Sequence, residues 1–374
     1  MNFTNKAICL ACSLVISGVS TAQEIVKIGL TSPLTGSQAQ AGKDNESGAK
    51  MAIEQLNKSK FTVAGKAVTF QLESEDDQGD PKAGVAVAQK LVDSKVKAVL
   101  GPYNSGVAIP ASKVYNDSGI VMATVGTNPR ITEQGYQNVF RLDPNDNQLG
   151  GDMAVYAAKQ LKLKRVAVID DRTAYGQGVA DAFLKAAKAN KIEIAGREFT
   201  NDKASEFSAI LTSIKGKKVD GIFYGGYFTQ AAAMKRQMKE LGLEVYLLGG
   251  DAICNAETGK LGGEAVNDKV YCVQGGTVLG NKATEKTFLS DFQNIYGKAP
   301  LTYAPYFYDG MLMLAEAMKK ANSTDPAKFG PVLATLKYSG VVGNYEFDVG
   351  HNLKNAPVTI YRFKGGEPVP APLN

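Results

Sequence analysis

The feature that most constrains this chain is a rhythm: short β-branched or aliphatic runs alternate with amphipathic stretches, and the pattern restarts after residue 145. In the first round, residues 26–30, 68–72, 96–100, 120–123 and 138–142 read as strands. Residues 42–58 read as a helix, with Ala49, Ala52, Ile53 and Leu56 on one stripe. Asp80-Pro81 caps and opens a second helix, with Val85, Ala88, Leu91 and Val92 on its inner face, and 106–117 is a third. The second round has strands at 165–169, 192–194, 219–224, 245–248 and 270–273, and helices at 178–189 and 229–241. Such alternation demands right-handed βαβ crossovers and mainly parallel sheets. Runs such as Val166-Ala167-Val168-Ile169 suit strands covered on both faces. The expected fold is therefore α/β, two doubly wound parallel-sheet lobes. Helices at 286–296 and 303–320 and strands near Tyr345 and Thr359 are too few for a third domain and should complete the two lobes. That requires a hinge of several chain crossings, with residues 23–145 plus 275–351 in lobe one and 146–274 plus 352–374 in lobe two.

A chain of 374 residues has room for two domains. The formal charge of +5 is spread along it, with no dense Lys/Arg run, which argues against nucleic acid. The first 22 residues stand apart. Lys6 precedes an apolar run from Ala7 to Val19, and Ser20-Thr21-Ala22 is a small-x-small cleavage site. This reads as a signal peptide, because a membrane span needs roughly 18 or more apolar residues. Leu10-Ala11-Cys12 resembles a lipoprotein site but leaves too little of the apolar run upstream, so a lipid-anchored form is the weaker option. No later stretch is long and apolar enough to span, so a soluble periplasmic protein is expected. Cys9 and Cys12 leave with the leader. Cys254 and Cys272 remain, and a pair in an oxidising compartment favours a disulfide. With His351 as the one histidine, no metal site is expected.

Open parallel sheets bind ligands beyond the carboxyl ends of their strands. Four ends are suggestive. Gly101-Pro102-Tyr103-Asn104-Ser105-Gly106 joins a strand to a helix start, where unpaired N–H groups favour an anion; Ser105 either adds a donor or serves as the N-cap. Thr124-Val125-Gly126-Thr127-Asn128-Pro129 offers a hydroxyl and backbone groups, or is a plain polar turn. In Asp170-Asp171-Arg172-Thr173-Ala174-Tyr175-Gly176-Gln177-Gly178 the dinucleotide fingerprint lacks its third glycine, so Tyr175 is the candidate contact. Gly225-Gly226-Tyr227 and Gly249-Gly250-Asp251 place doubled glycines at strand ends, and Asp251 either faces the cleft to meet an ammonium or caps the next turn. Enzyme machinery is hard to find: there is no G-x-S-x-G elbow, no P-loop and no metal spacing. Gly350-His351-Asn352 reads as a surface turn, and Glu73-Ser74-Glu75-Asp76-Asp77 as a solvated loop.

In this order, these segments resemble the leucine/isoleucine/valine-binding proteins, the amino-acid branch of the type I periplasmic binding proteins that serve ABC importers. The opening Ile28-Gly29-Leu30-Thr31-Ser32-Pro33-Leu34-Thr35-Gly36, Glu75 to Pro81, Gly101-Pro102, Gly126-Thr127-Asn128-Pro129, Tyr175-Gly176-x-Gly178, Tyr224-Gly225-Gly226-Tyr227 and Gly250-Asp251 carry the likeness, which covers nearly all of the chain after the leader. The resemblance implies that Ser105 and Thr127, with backbone at Val125 and Ser105, hold the carboxylate and ammonium of an amino acid. It implies that Asp251 pairs with the ammonium, that Tyr175 and Tyr227 cover the ligand on closure, and that Tyr303 lines the side-chain pocket. Tyr103 and Asn104, flanking Ser105, complete the candidate set. The implied partners are a small-molecule ligand, an amino acid, and a membrane ABC permease complex, with no cofactor, for a monomer. Ala41 departs from the aromatic residue of some branched-chain binders, and the likeness does not vouch for the Cys254–Cys272 pair. Other readings stay open: a ligand-sensing module for a chemoreceptor or regulator, a secreted hydrolase, or a binder of a small carboxylate, amide or aromatic acid.

Overall fold

The computed structural model describes residues 24–372; the expected leader, with Cys9 and Cys12, lies outside the described residues. β1 (Glu24–Ser32), α1 (Ala39–Lys58), β2 (Thr62–Val63), β3 (Lys66–Asp76), α2 (Pro81–Asp93), β4 (Ala98–Leu100), α3 (Ser105–Asp117), β5 (Val121–Thr124), α4 (Arg130–Glu133) and β6 (Val139–Arg141) form a first sheet, in the order β2-β3-β1-β4-β5-β6. Its pairs are parallel except at the short β2–β3 hairpin. The chain then builds a second sheet through α5 (Asp146–Lys159), β7 (Arg165–Asp170), α6 (Ala174–Ala189), β8 (Glu193–Phe199), α7 (Ser208–Gly216), β9 (Gly221–Gly225), α8 (Phe228–Glu240), β10 (Tyr246–Gly249), α9 (Ala256–Gly262) and β11 (Val270–Gly275). It returns to the first with α10 (Ala283–Tyr296), α11 (Ala304–Lys320) and α12 (Pro326–Thr335); α11 packs on α1 and β4, and α12 on α11. After the ribbon of β12 (Tyr338–Ser339) and β13 (Asn344–Tyr345), strand β14 (Val358–Lys364) adds antiparallel to β11, and β15 (Glu367–Pro370) antiparallel to β14. The second sheet reads β15-β14-β11-β10-β9-β7-β8. The chain thus passes between the two sheets after β6, after β11 and after β13.

Local chemistry explains many element boundaries. Asp80 accepts from Lys82 N and Ala83 N, both at 2.9 Å, with Pro81 at the first helical position of α2. Thr173 caps α6 one turn earlier than the sequence stripe suggests, accepting from Gly176 N at 3.0 Å. Asn145 caps α5, which the periodicity does not announce because Gly150-Gly151 interrupts its stripe. Gly150 is a close-approach position: a Cβ there would come within 2.6 Å of the Val179 carbonyl oxygen in α6. The central strands are buried on both faces, as in β4 and β9.

Two expectations are corrected. The acidic run at 73–77 is not a solvated loop: Glu73 to Asp76 belong to β3, and Asp77 is buried, accepting from Thr31 Oγ1 at 2.7 Å and Gly79 N at 2.9 Å. Burial pushes its carboxyl up to about 6. His351 is not a surface residue either. Its ring stacks on Phe140 at 4.2 Å and its Nδ1 lies 3.2 Å from the Val139 carbonyl, while burial holds its pKa below the ordinary histidine value. Cys254 and Cys272 are bridged, with Cα atoms 5.3 Å apart, tying the turn after β10 to β11.

Candidate functional site

In each sheet the order of strands reverses beside its first parallel strand, between β1 and β4 in one and between β7 and β9 in the other. Ligands gather at such switch points. The loops beyond these strands face each other across the cleft and enclose a chamber lined by Tyr103, Ser105, Val125, Thr127, Tyr175, Tyr227, Asp251, Ala252 and Tyr303. The chamber is narrow, leaving about 10 Å³ for the centre of a water-sized sphere. The structure thus brings together every sequence-derived candidate except Asn104, and adds Ala252. Asn104 lies one step outward, in a neighbouring recess of about 300 Å³ with Arg130, Arg172 and Asp202, where its amide donates to Gln38 Oε1 at 2.7 Å. Ala41 is buried in α1 and does not line the chamber.

The first wall is uncharged. Ser105 opens α3 but does not cap it: its Oγ accepts from Thr127 N and Asn128 N, each at 3.2 Å, tying the loop after β4 to the loop after β5. A hydroxyl has two acceptor sites and one proton. With both acceptor sites used, the Ser105 proton remains to be donated, beside the positive end of α3. The Thr127 hydroxyl is buried beside the Asp146 carboxyl.

The second wall carries a fixed carboxylate. Asp251 begins a single 3-10 turn after β10, and its side chain does not cap that turn. Tyr175 OH donates to its Oδ1 at 2.8 Å, and Tyr303 OH donates to Oδ2. Tyr175 OH also accepts from Ala252 N at 3.2 Å, so the hydroxyl is locked in direction. Burial raises the Asp251 pKa, and the two phenol donors pull it back. Carbonyls of the turn are tied in turn: Thr302 Oγ1 donates to Cys254 O at 2.7 Å. Tyr227 packs between Tyr103 and Tyr175, at ring-centroid distances of 6.0 and 5.2 Å.

Sequence reasoning missed a polar cluster behind the chamber. Arg141, fully buried at the end of β6, donates to Asn128 O, Thr132 Oγ1 and Asn352 Oδ1, all at 3.0 Å, and to Gly126 O. It thereby fixes the loop that carries Thr127. Asp143 and Asp146 follow in sequence and are also fully buried. Burial drives Asp143 well above the carboxylate range, reinforced by the facing charge of Asp251. It pushes Asp146 up to about 8, against the pull of the neighbouring Thr127 hydroxyl and Arg141. The signal was present, two acids just past a strand end, but Asp143-Pro144-Asn145-Asp146 looks like an ordinary turn.

A larger hollow of about 980 Å³ lies over α1, α10 and α11, lined by Met51, Phe288 and Tyr308 among others. It lies away from the ends of the parallel strands.

Comparison with known proteins gives a consistent picture. Residues 25–367 match the family model for periplasmic binding proteins. The chain is 32% identical over 360 residues to a Leu/Ile/Val-binding protein of Rhizobium johnstonii, covering 92% of this chain and 94% of the relative. It is 33% identical over 349 residues to the leucine-, isoleucine-, valine-, threonine- and alanine-binding protein of Pseudomonas aeruginosa, covering 92% and 91%. Among solved structures, it resembles the branched-chain amino acid transporter substrate binding protein of Streptococcus pneumoniae in complex with isoleucine. That match has a TM-score of 0.84 at 26% identity and covers 93% of this chain and 100% of the other.

Proposed function

The chain belongs to the Leu/Ile/Val-binding family of periplasmic binding proteins, and from that premise we propose that it captures an α-amino acid between its two walls and delivers it to a membrane ABC importer. The family is one of substrate-binding proteins of ABC transporters, not of enzymes. Among the described residues, no helix is long and apolar enough to cross a membrane. The observation that carries the ligand class is the pairing of opposite chemistries across one chamber. A fixed carboxylate, Asp251, faces the Ser105 hydroxyl and the α3 N-terminus. The ligand carboxylate sits on the Ser105 side, and the ammonium meets Asp251 with the Thr127 hydroxyl and the Val125 carbonyl nearby. The printed names of the Rhizobium johnstonii and Pseudomonas aeruginosa relatives, both amino-acid binders, support this reading.

Binding couples to motion. The lobes, 23–145 plus 275–351 and 146–274 plus 352–374, swing on the crossings after β6, β11 and β13. A zwitterion that touches both walls favours the closed state by its differential affinity for it. The protein acts as a monomer in the periplasm, released there after its leader is cleaved.

A thermal-shift screen of protein freed of carried-over ligand by unfolding and refolding tests the proposal. Stabilisation is RT ln(1 + [L]/Kd), about 4 kcal/mol at roughly 1,000 Kd. A large shift with a set of L-α-amino acids is expected. A shift with small carboxylates or amides but no amino acid would remove Asp251 as an ammonium partner.

A further inference from the structure

We propose that the side chain of the ligand carries a hydroxyl that pairs with Tyr103, so that the site prefers threonine and serine to aliphatic amino acids. This rests on the amino-acid reading of the chamber and refines it.

The case is an accounting of hydroxyls. Tyr175 OH donates to Asp251 and accepts from Ala252 N. Tyr303 OH is committed to Asp251. Ser105 has both acceptor sites filled by backbone N–H groups. Tyr227 has the Asn104 side chain beside its hydroxyl. Thr127 has the Asp146 carboxyl beside its hydroxyl. One hydroxyl of the lining remains without any polar neighbour to meet it, that of Tyr103. The main-chain groups of an amino acid use Thr127, which stands on the Ser105 loop junction. Nothing in the backbone of the ligand accounts for Tyr103.

Tyr103 cannot escape the obligation by turning away. Its ring is wedged edge-on against Tyr303, centroids 5.2 Å apart, and tilted against Tyr227 at 6.0 Å. The residue is only 5% exposed, so water does not reach the hydroxyl from outside. A buried hydroxyl left unmade is costly, whereas one met by the ligand discriminates in favour of whatever meets it. An aliphatic side chain would leave Tyr103 unpaired in every closed complex. The same hydroxyl stands among four tyrosine rings, Val125 and Ala252 that line the chamber.

Threonine and valine provide the test, since they share a shape and differ by hydroxyl for methyl. Isothermal titration of the refolded protein should show threonine binding about tenfold or more tighter than valine, and serine likewise tighter than alanine. In Tyr103→Phe, which keeps the ring packing, both ratios should fall to near one. Valine equal to or tighter than threonine in the natural protein would overturn the proposal and leave the amino-acid reading standing. Ratios unchanged in Tyr103→Phe would also overturn it, by removing Tyr103 as the discriminating group. Failure of every amino acid to bind would overturn both readings together.

Discussion

The two walls of the chamber handle charge in opposite ways. The first wall faces the chamber with neutral donors, the Ser105 hydroxyl and the start of α3, and keeps Arg141 and Asp146 behind the loops, while Asp143 is buried against Asp251. The second wall puts its carboxylate at the front and aims it with its own Tyr175, with Tyr303 reaching over from the start of α11 on the first lobe, and with a turn tied to β11 by the Cys254–Cys272 bridge. Neutral dipoles satisfy an anion without demanding one, whereas a buried carboxylate is costly until a cation arrives. The second wall should therefore decide whether a ligand binds at all, and the first should tune how well.

Replacing Asp251 by Asn should have the largest effect. The amide still accepts from one phenol, so the wall should stay in place, but the ammonium loses its counter-charge. Affinity for α-amino acids should fall by at least about 2 kcal/mol, roughly 30-fold, in a calorimetric titration. An unchanged affinity would mean that the charge at the front of the second wall is not what holds the ligand.

Ser105→Ala is the matching change on the first wall and should cost less, about 1 to 1.5 kcal/mol in ligand affinity. It removes one donor to the carboxylate and two acceptor contacts, but leaves the N–H groups of α3 and the Arg141 scaffold. A loss exceeding that of Asp251→Asn would reverse the division of labour between the walls.

The strand-end residues were legible because their chemistry is local. A hydroxyl, a doubled glycine or an acid at the end of an apolar run announces itself in a few residues, as Gly249-Gly250-Asp251 does. What supports them was not legible, because it depends on distant partners. Arg141 gains its meaning only from Asn128, Thr132 and Asn352, and His351 from Phe140. Asp77 looks solvated until Thr31, 46 residues away, is seen donating to it. Helix α5 was hidden by Gly150, whose lack of a side chain answers to α6 and not to its own helix. Tyr103 was visible as a neighbour of Ser105, but that its hydroxyl has no partner is a property of the closed chamber alone.

The group hidden behind the first wall is probed through stability and should leave ligand affinity least changed. The Asp146 carboxyl is pushed up to about 8 by burial, above its unfolded value near 4. Between those values the folded chain holds a proton that the unfolded chain does not. This contribution to stability is complete at low pH and is lost as pH rises through about 8. Asp146→Asn mimics the protonated form and cannot titrate. The ligand-free variant and the natural protein should therefore differ least at about pH 4, the low end of that window. At about pH 8, where the natural protein has lost this contribution, the variant should melt higher than the natural protein. Because Asp77, Asp171 and Asp309 are raised as well, to about 6, 7 and 6, both proteins should lose stability over this range, the variant less. If Asp146→Asn instead lowers the melting temperature equally at both pH values, Asp146 serves as an anion paired with Arg141. The first wall would then hold a standing charge of its own, and its contrast with the second would be one of depth and not of kind.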